Sequence, residues 1–241
     1  MKFRKVADRA ALVRNEALAY LRLGLMTPVQ HRVKTKQSGP IRVGVLFVPG
    51  LGANGGNFMS MRDALRDHVD QFDVFDYFSL QDPRKLARHL RLRIRTLAAR
   101  CRALFCIGHS LGGVLIRMAL QDAEIPSSVA GFAAICSPLH GTWRSRWAPG
   151  PLRQLTPDSA MMDQLLASAD RLKPLRNRIL TVSARHDQFV SPASSALLDL
   201  GPQLMLEDVA HNGALLDSRV HSAVLDLIRQ GPRDDRSVSA S

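Results

Sequence analysis

At 241 residues, 46% hydrophobic and 22% charged, the chain carries enough apolar material for one sizeable core, which excludes wholesale disorder. Its formal charge is +12, and its three cysteines, Cys101, Cys106 and Cys136, exclude a disulfide-stapled scaffold and predict buried free thiols in a reducing, cytoplasmic setting. No apolar run approaches the roughly 18 residues needed to span a bilayer, and no apolar block with a small-residue cleavage site follows the basic start, so neither a spanning helix nor a secretory signal is expected.

In chain order, residues 3–22 set Phe3, Val6, Ala7, Ala10, Val13, Ala17 and Leu21 on one helical face beside Lys2, Arg4, Lys5, Arg9, Arg14 and Arg22. This predicts a basic amphipathic helix packed on the main domain, with a membrane-surface helix as the alternative. A polar connector, 27–40, follows. "IRVGVLFV" (41–48) is β-branched and almost continuously apolar, as a strand buried on both faces should be. After the glycine-rich loop "PGLGANGG" come a helix over 57–69 and a strand over 72–79.

Residues 84–102 carry eight arginines and lysines and no acid, while Leu86, Leu90, Ile94, Leu97 and Cys101 recur at helical spacing. A helix with a strongly basic outer face is expected there, suited to loose contact with an anionic membrane. Few aromatics and no zinc-ligand spacing accompany the charge, so no specific nucleic-acid partner is expected. Strands at 103–107, 128–136, 178–184 and 202–208 alternate with helices at 111–122, near 192–199 and at 213–229.

This alternation predicts an α/β fold, a doubly wound, mostly parallel sheet with helices on both faces. About 40 residues separate the strands at 128–136 and 178–184, too many for a bare connection. They predict a small cap between residues 137 and 177, with a helix near 158–170 and with Trp143 and Trp147 interleaved among Arg144, Arg146 and Arg153. The organisation expected is an amino-terminal basic helix and connector (1–40), one α/β domain (41–230, cap insert about 138–176) and a disordered tail (231–241).

In such sheets, chemistry gathers in the loops after strands. "GHSLGG" satisfies G-x-S-x-G directly after a predicted strand and directly before a predicted helix, which marks Ser110 as a nucleophile on a sharp turn. A serine hydroxyl needs a base and an orienting carboxylate. Of eight histidines, His211 stands in a short loop just after the last strand, whereas His109 lies on the turn itself and should point away from Ser110. Asp187 follows the preceding strand, giving the chain order Ser110, Asp187, His211; Asp208 is the second candidate carboxylate.

These residues resemble the α/β-hydrolase superfamily over about residues 41–230. "GHSLGG" looks like its nucleophile elbow, "HDQFVSP" is similar to its acid loop and "VAHNGAL" to its histidine loop. "VPGLGAN" and "CSPLHGTW" resemble bacterial lipases and carboxylesterases of the triacylglycerol lipase type, with Pro49 standing where a histidine is usual. The resemblance implies an oxyanion hole formed by the backbone amides of Leu51 and Leu111. No metal or cofactor is expected, since the histidines lack a ligand pattern and no loop has a phosphate-binding fingerprint.

The expectation is therefore a serine hydrolase acting on acyl or lipid-like esters. An acyltransferase with the same triad, and a catalytically silent member that binds lipid or a partner, are the alternatives. The sequence leaves oligomeric state open.

Overall fold

The structure, a computed structural model, describes residues 16, 41–78, 80–122 and 124–231. Six strands, β1 (Ile41–Val48), β2 (Gln71–Val74), β3 (Cys101–His109), β4 (Val129–Ile135), β5 (Ile179–Ala184) and β6 (Gln203–Leu206), form one sheet in the order β2-β1-β3-β4-β5-β6. Every pairing is parallel. All six carboxyl ends therefore point the same way, and the order reverses between β1 and β3, where such sheets open a crevice.

The near-continuous apolarity of the central strands has its reason in the two cores. Leu46, Val48, Leu104, Cys106, Phe132 and Ala134 face α2 (Pro83–Ala98) and α3 (Leu111–Gln121) on one side of the sheet. The alternate residues Val45, Phe47, Phe105, Ile107, Ala133 and Ile135 face α1 (Met59–Leu65) and α5 (Ser218–Arg229) on the other. Period-2 alternation here sorts one apolar residue from the next rather than apolar from polar.

Boundaries differ from expectation where local chemistry intervenes. The strand expected over 72–79 pairs only over Gln71–Val74; it is an edge strand, and beyond it the chain leaves the sheet, where the half-buried Tyr77 hydroxyl donates to the Pro49 carbonyl at 2.7 Å. The helix expected near 192–199 is a four-residue 3-10 turn, Ala193–Ala196, opening after Pro192. The helix expected over 158–170 is α4 (Ala160–Ala167), capped by the Ser159 hydroxyl, which accepts from Met162 N at 3.2 Å. The basic helix stands as α2, with Asp82 capping it and Pro83 at its first position. The helix expected over 3–22 lies outside the described residues except for Glu16, and so does the tail beyond Gly231.

Between β4 and β5 the chain makes two 3-10 turns, Trp143–Trp147 and Gly150–Leu155, then α4 and a further turn, Ala169–Leu175. A buried arginine fastens this insert to the body. Arg117 of α3 donates to Gln121 Oε1 at 2.6 Å, to the Leu139 carbonyl, and to the Leu165 carbonyl at 3.4 Å. Gln121 adds bonds to the Leu165 carbonyl (2.8 Å) and Ser168 Oγ (2.9 Å). Burial lowers the Arg117 pKa to about 10, so the guanidinium stays charged at neutral pH with its charge spread over carbonyl and amide oxygens.

Arg117→Ala would strand these acceptors and open a cavity. The expected cost is about 3 kcal/mol of unfolding free energy, read as a lower urea midpoint; an unchanged midpoint would show that the insert is held by other means.

Candidate active site

The turn from β3 into α3 is where the backbone is least ordinary. Ser110 has φ 54° and ψ −123°, a left-handed conformation that a residue with a Cβ adopts only when its surroundings impose it. The surroundings are Gly108 and Gly112: a Cβ on Gly108 would lie 2.5 Å from Gly113 N, and one on Gly112 would lie 2.0 Å from the Val48 carbonyl. Only glycine lets the helix start so close to the sheet. Ser110 is the N-cap position of α3, yet its hydroxyl makes no capping bond, which leaves the oxygen free to face outward.

Ser110 lines a cavity of about 400 Å³ together with Leu51, Leu111, Leu152, Phe189 and His211. Leu51 belongs to the loop after β1, held from below by Tyr77, and Leu111 is the first residue of α3, where an amide has no intrahelical partner. Thr142 joins the wall formed by the insert to the loop after β5: its hydroxyl donates to the Phe189 carbonyl at 2.8 Å and accepts from Ser191 N at 3.0 Å.

His211 and Asp187 form a buried pair. Nδ1 of His211 donates to Asp187 Oδ2 at 2.7 Å, and the two side chains are 4% and 1% exposed. Facing a carboxylate, Nδ1 must carry the proton, which leaves Nε2 as an acceptor in the neutral ring. The other Asp187 oxygen accepts from Phe189 N and Val190 N, both at 2.8 Å, so the acid is fixed by its own loop. Asp208, the alternative carboxylate, instead pairs with Arg219 at 2.7 Å on the surface.

Two contacts escaped the sequence reading. His109 does not simply turn aside: its Nε2 lies 3.2 Å from the His211 carbonyl, and the two rings sit 4.7 Å apart. Burial, reinforced by His211, pulls the His109 pKa well below the usual histidine value, so the ring is neutral and its N–H supports the His211 backbone. Cys136, at φ 46° just after β4, meets the Asp187 carboxylate, and burial first, then Asp187, pushes its thiol pKa well up. Cys136, Asp187 and His211 bring ligand-type atoms within 4.8 Å of one another. Within this trio His211 and Asp187 are hydrogen-bonded to each other, and the Cys136 thiol stays protonated. Neither contact has a sequence pattern; both arise because the parallel sheet brings the ends of β3 and β4 and the loops after β5 and β6 to one side.

A model of the alpha/beta hydrolase family matches residues 45–239. The chain belongs to that family. A comparison with curated sequences finds no match. Among solved structures, the mature form of Bacillus licheniformis lipase BlEst2 superposes with a TM-score of 0.66 at 13% identity, over 81% of this chain and 96% of that one. The Listeria innocua lin2722 gene product gives 0.58 at 13% identity, over 80% and 96%. A structure reported for the metagenome-derived lipolytic enzymes LipS and LipT gives 0.53 at 18% identity, over 78% and 94%. These three likenesses establish a shared α/β-hydrolase fold.

Because His109 is held neutral when folded but titrates near 6.5 when unfolded, its contribution to stability is complete above pH 6.5 and is lost as pH falls from there toward its lowered folded pKa. This hydrolase should lose up to about 1.4 kcal/mol per pH unit through His109 across that window. Urea titrations at pH 7, 6 and 5 should show a shallower dependence in His109→Asn than in the wild type.

Proposed function

We propose that the chain hydrolyses carboxylic esters of acyl or lipid-like character. The observation that carries this reading is one mostly apolar cavity onto which both an uncapped serine on a strained turn and a carboxylate-anchored histidine open. Ser110 Oγ attacks the ester carbonyl while His211 Nε2 takes its proton, and Asp187, 2.7 Å behind the ring, stabilises the imidazolium. The amides of Leu51 and Leu111 receive the oxyanion; at Leu111 the amino end of α3 adds its favourable dipole. His211 returns the proton to the leaving alcohol, and water activated by the same nitrogen then releases the acid from Ser110. No residue in this sequence of steps requires a metal or cofactor.

Leu51, Ala148, Leu152, Leu155 and Val190 give the cavity an acyl-binding wall, and among the described residues Arg144 is the one arginine or lysine that lines it. Four exposed apolar side chains belong to the segments that line it: Leu51 is 52% exposed, Trp147 86%, and Trp143 and Phe189 are also open to solvent. All lie in loops after strand carboxyl ends, hence at one end of the parallel sheet. Arg146 stacks on Trp143 at 5.0 Å. Aromatic rings with arginines at a cavity mouth suit peripheral contact with an anionic lipid surface. No helix among the described residues is long and apolar enough to cross a membrane. Three buried free thiols suit a reducing compartment, and we place the protein in the cytoplasm at the inner membrane face.

The test is hydrolysis of p-nitrophenyl esters from acetate to palmitate, with product analysis in the presence of added alcohols to detect acyl transfer. Ser110→Ala should lose roughly 10⁴-fold or more in kcat/KM and Asp187→Asn about 10³–10⁴-fold. A folded wild type that turns over no ester and ignores a fluorophosphonate probe would sink the reading. On anionic vesicles, Trp147→Ala should weaken binding about tenfold while leaving hydrolysis of soluble esters intact; equal binding by both proteins would remove the lipid-surface role.

A further inference from the structure

A carboxylate from the far end of the chain lies beneath the histidine loop. Glu16 is helical, only 8% exposed, and separated by 196 residues from its principal partner, Asn212. Its Oε1 accepts from Gln188 Nε2 at 2.8 Å, Asn212 N at 2.9 Å and Asn212 Nδ2 at 3.0 Å. Its Oε2 accepts from Gly213 N at 3.1 Å and shares Asn212 N at 3.2 Å. Two consecutive backbone amides, one side-chain amide of the same loop and one from the acid loop thus converge on a single carboxylate. Among the described residues, no arginine or lysine forms an ion pair with it.

The placement singles out the two loops that matter. Gln188 immediately follows Asp187, and Asn212 immediately follows His211. The helical turn Gly213–Leu216 starts where Glu16 binds, so its first amides, which lack intrahelical partners, are met by a negative charge. Glu16 is also among the charges that push the Cys136 thiol pKa up, after burial and Asp187.

We infer that Glu16 is a positioning residue: its carboxylate, bonded to both the acid and the histidine loops, fixes the His211 ring and favours its imidazolium form. This inference rests on the proposed role of His211 as the base. Its reasoning is physical. A loop residue held only by the ring's bond to Asp187 and the carbonyl's bond to His109 keeps freedom in the φ and ψ torsions that flank the following peptide, and bonds to Asn212 N and Gly213 N restrict it. A buried negative charge also lowers the cost of protonating a nearby imidazole. The titratable groups around His211 are Asp187, His109, Cys136, Ser110 and, across the cavity, Arg144; Glu16 adds a second negative charge to that of Asp187 through its bonds to the next residue, Asn212.

The decisive variant is Glu16→Gln, which keeps the shape and one acceptor and removes the charge. With p-nitrophenyl butyrate, kcat should fall about tenfold at near-constant KM, and the acidic limb of the pH–rate profile should move to lower pH by roughly half a unit to one unit. The double variant Glu16→Gln/Gln188→Glu, which returns a carboxylate to the same pair of loops, should recover part of the kcat. If Glu16→Gln lowers only the melting temperature and leaves kcat and the pH limb per folded molecule unchanged, the residue is structural and the inference is overturned. Should the wild type turn over no ester, the NMR titration of His211 decides independently: a downward-shifted midpoint in Glu16→Gln supports the positioning role, and an unmoved midpoint overturns it.

Discussion

The close approach of α3 to the sheet at the Ser110 turn governs the architecture around the cavity. Because the helix begins within van der Waals reach of β1, Gly108 and Gly112 cannot carry side chains, and Ser110 is forced to positive φ. The same approach directs the amino end of α3 at the cavity and sets the Leu51 loop opposite it. A strained residue persists only when its neighbours over-determine it, and here the strain is surrounded by buried strands on both sides. The bonds Ser110 N to Ile135 O (2.9 Å) and Gly113 N to Ser110 O (3.2 Å) lock the turn to β4 and to its own helix.

Buried polar groups do the remaining work of fixing the loops, and each is satisfied in the same manner. Asp187 accepts two backbone amides and an imidazole; Glu16 accepts two backbone amides and two side-chain amides; Arg117 donates to two backbone carbonyls and a glutamine. Each charge is dispersed over fixed dipoles instead of being neutralised by a single counter-ion. A pair of long charged side chains would leave each loop free to slide along its partner, whereas bonds to main-chain atoms specify position directly. The cost of burying the charge is then converted into loop geometry.

How much of this was legible in the sequence follows from the range of the interaction involved. The strands could be read because burial on both faces writes continuous apolar runs, and the Ser110 turn because its steric demand is local: a serine between glycines, after a strand and before a helix. Ser110, His211, Leu51 and Leu111 line one cavity, and Asp187 stands behind His211, because parallel strands bring successive loops to one end of the sheet. The composition around Ala193–Ala196 is helix-compatible, while the length of the turn is limited by Pro192 before it and the extended Leu197 after it. Cys136 and His109 carry no local signature for their contacts with Asp187 and His211, since those depend on which strands are neighbours.

Glu16 is the extreme case. In the sequence it is one of two acids, with Asp8, in a basic amphipathic segment, on which the apolar periodicity and the arginines draw attention and the carboxylates do not. Its meaning arises only when the chain returns to it 196 residues later with two unsatisfied amides. A buried carboxylate among such amides is costly to leave unmatched in either direction: without the acid the amides are orphaned, and without the amides the acid would be an uncompensated charge. Glu16 and the histidine loop are therefore complementary halves of one site, and the loop that carries His211 owes part of its definition to a residue outside the α/β domain expected from residue 41 onward.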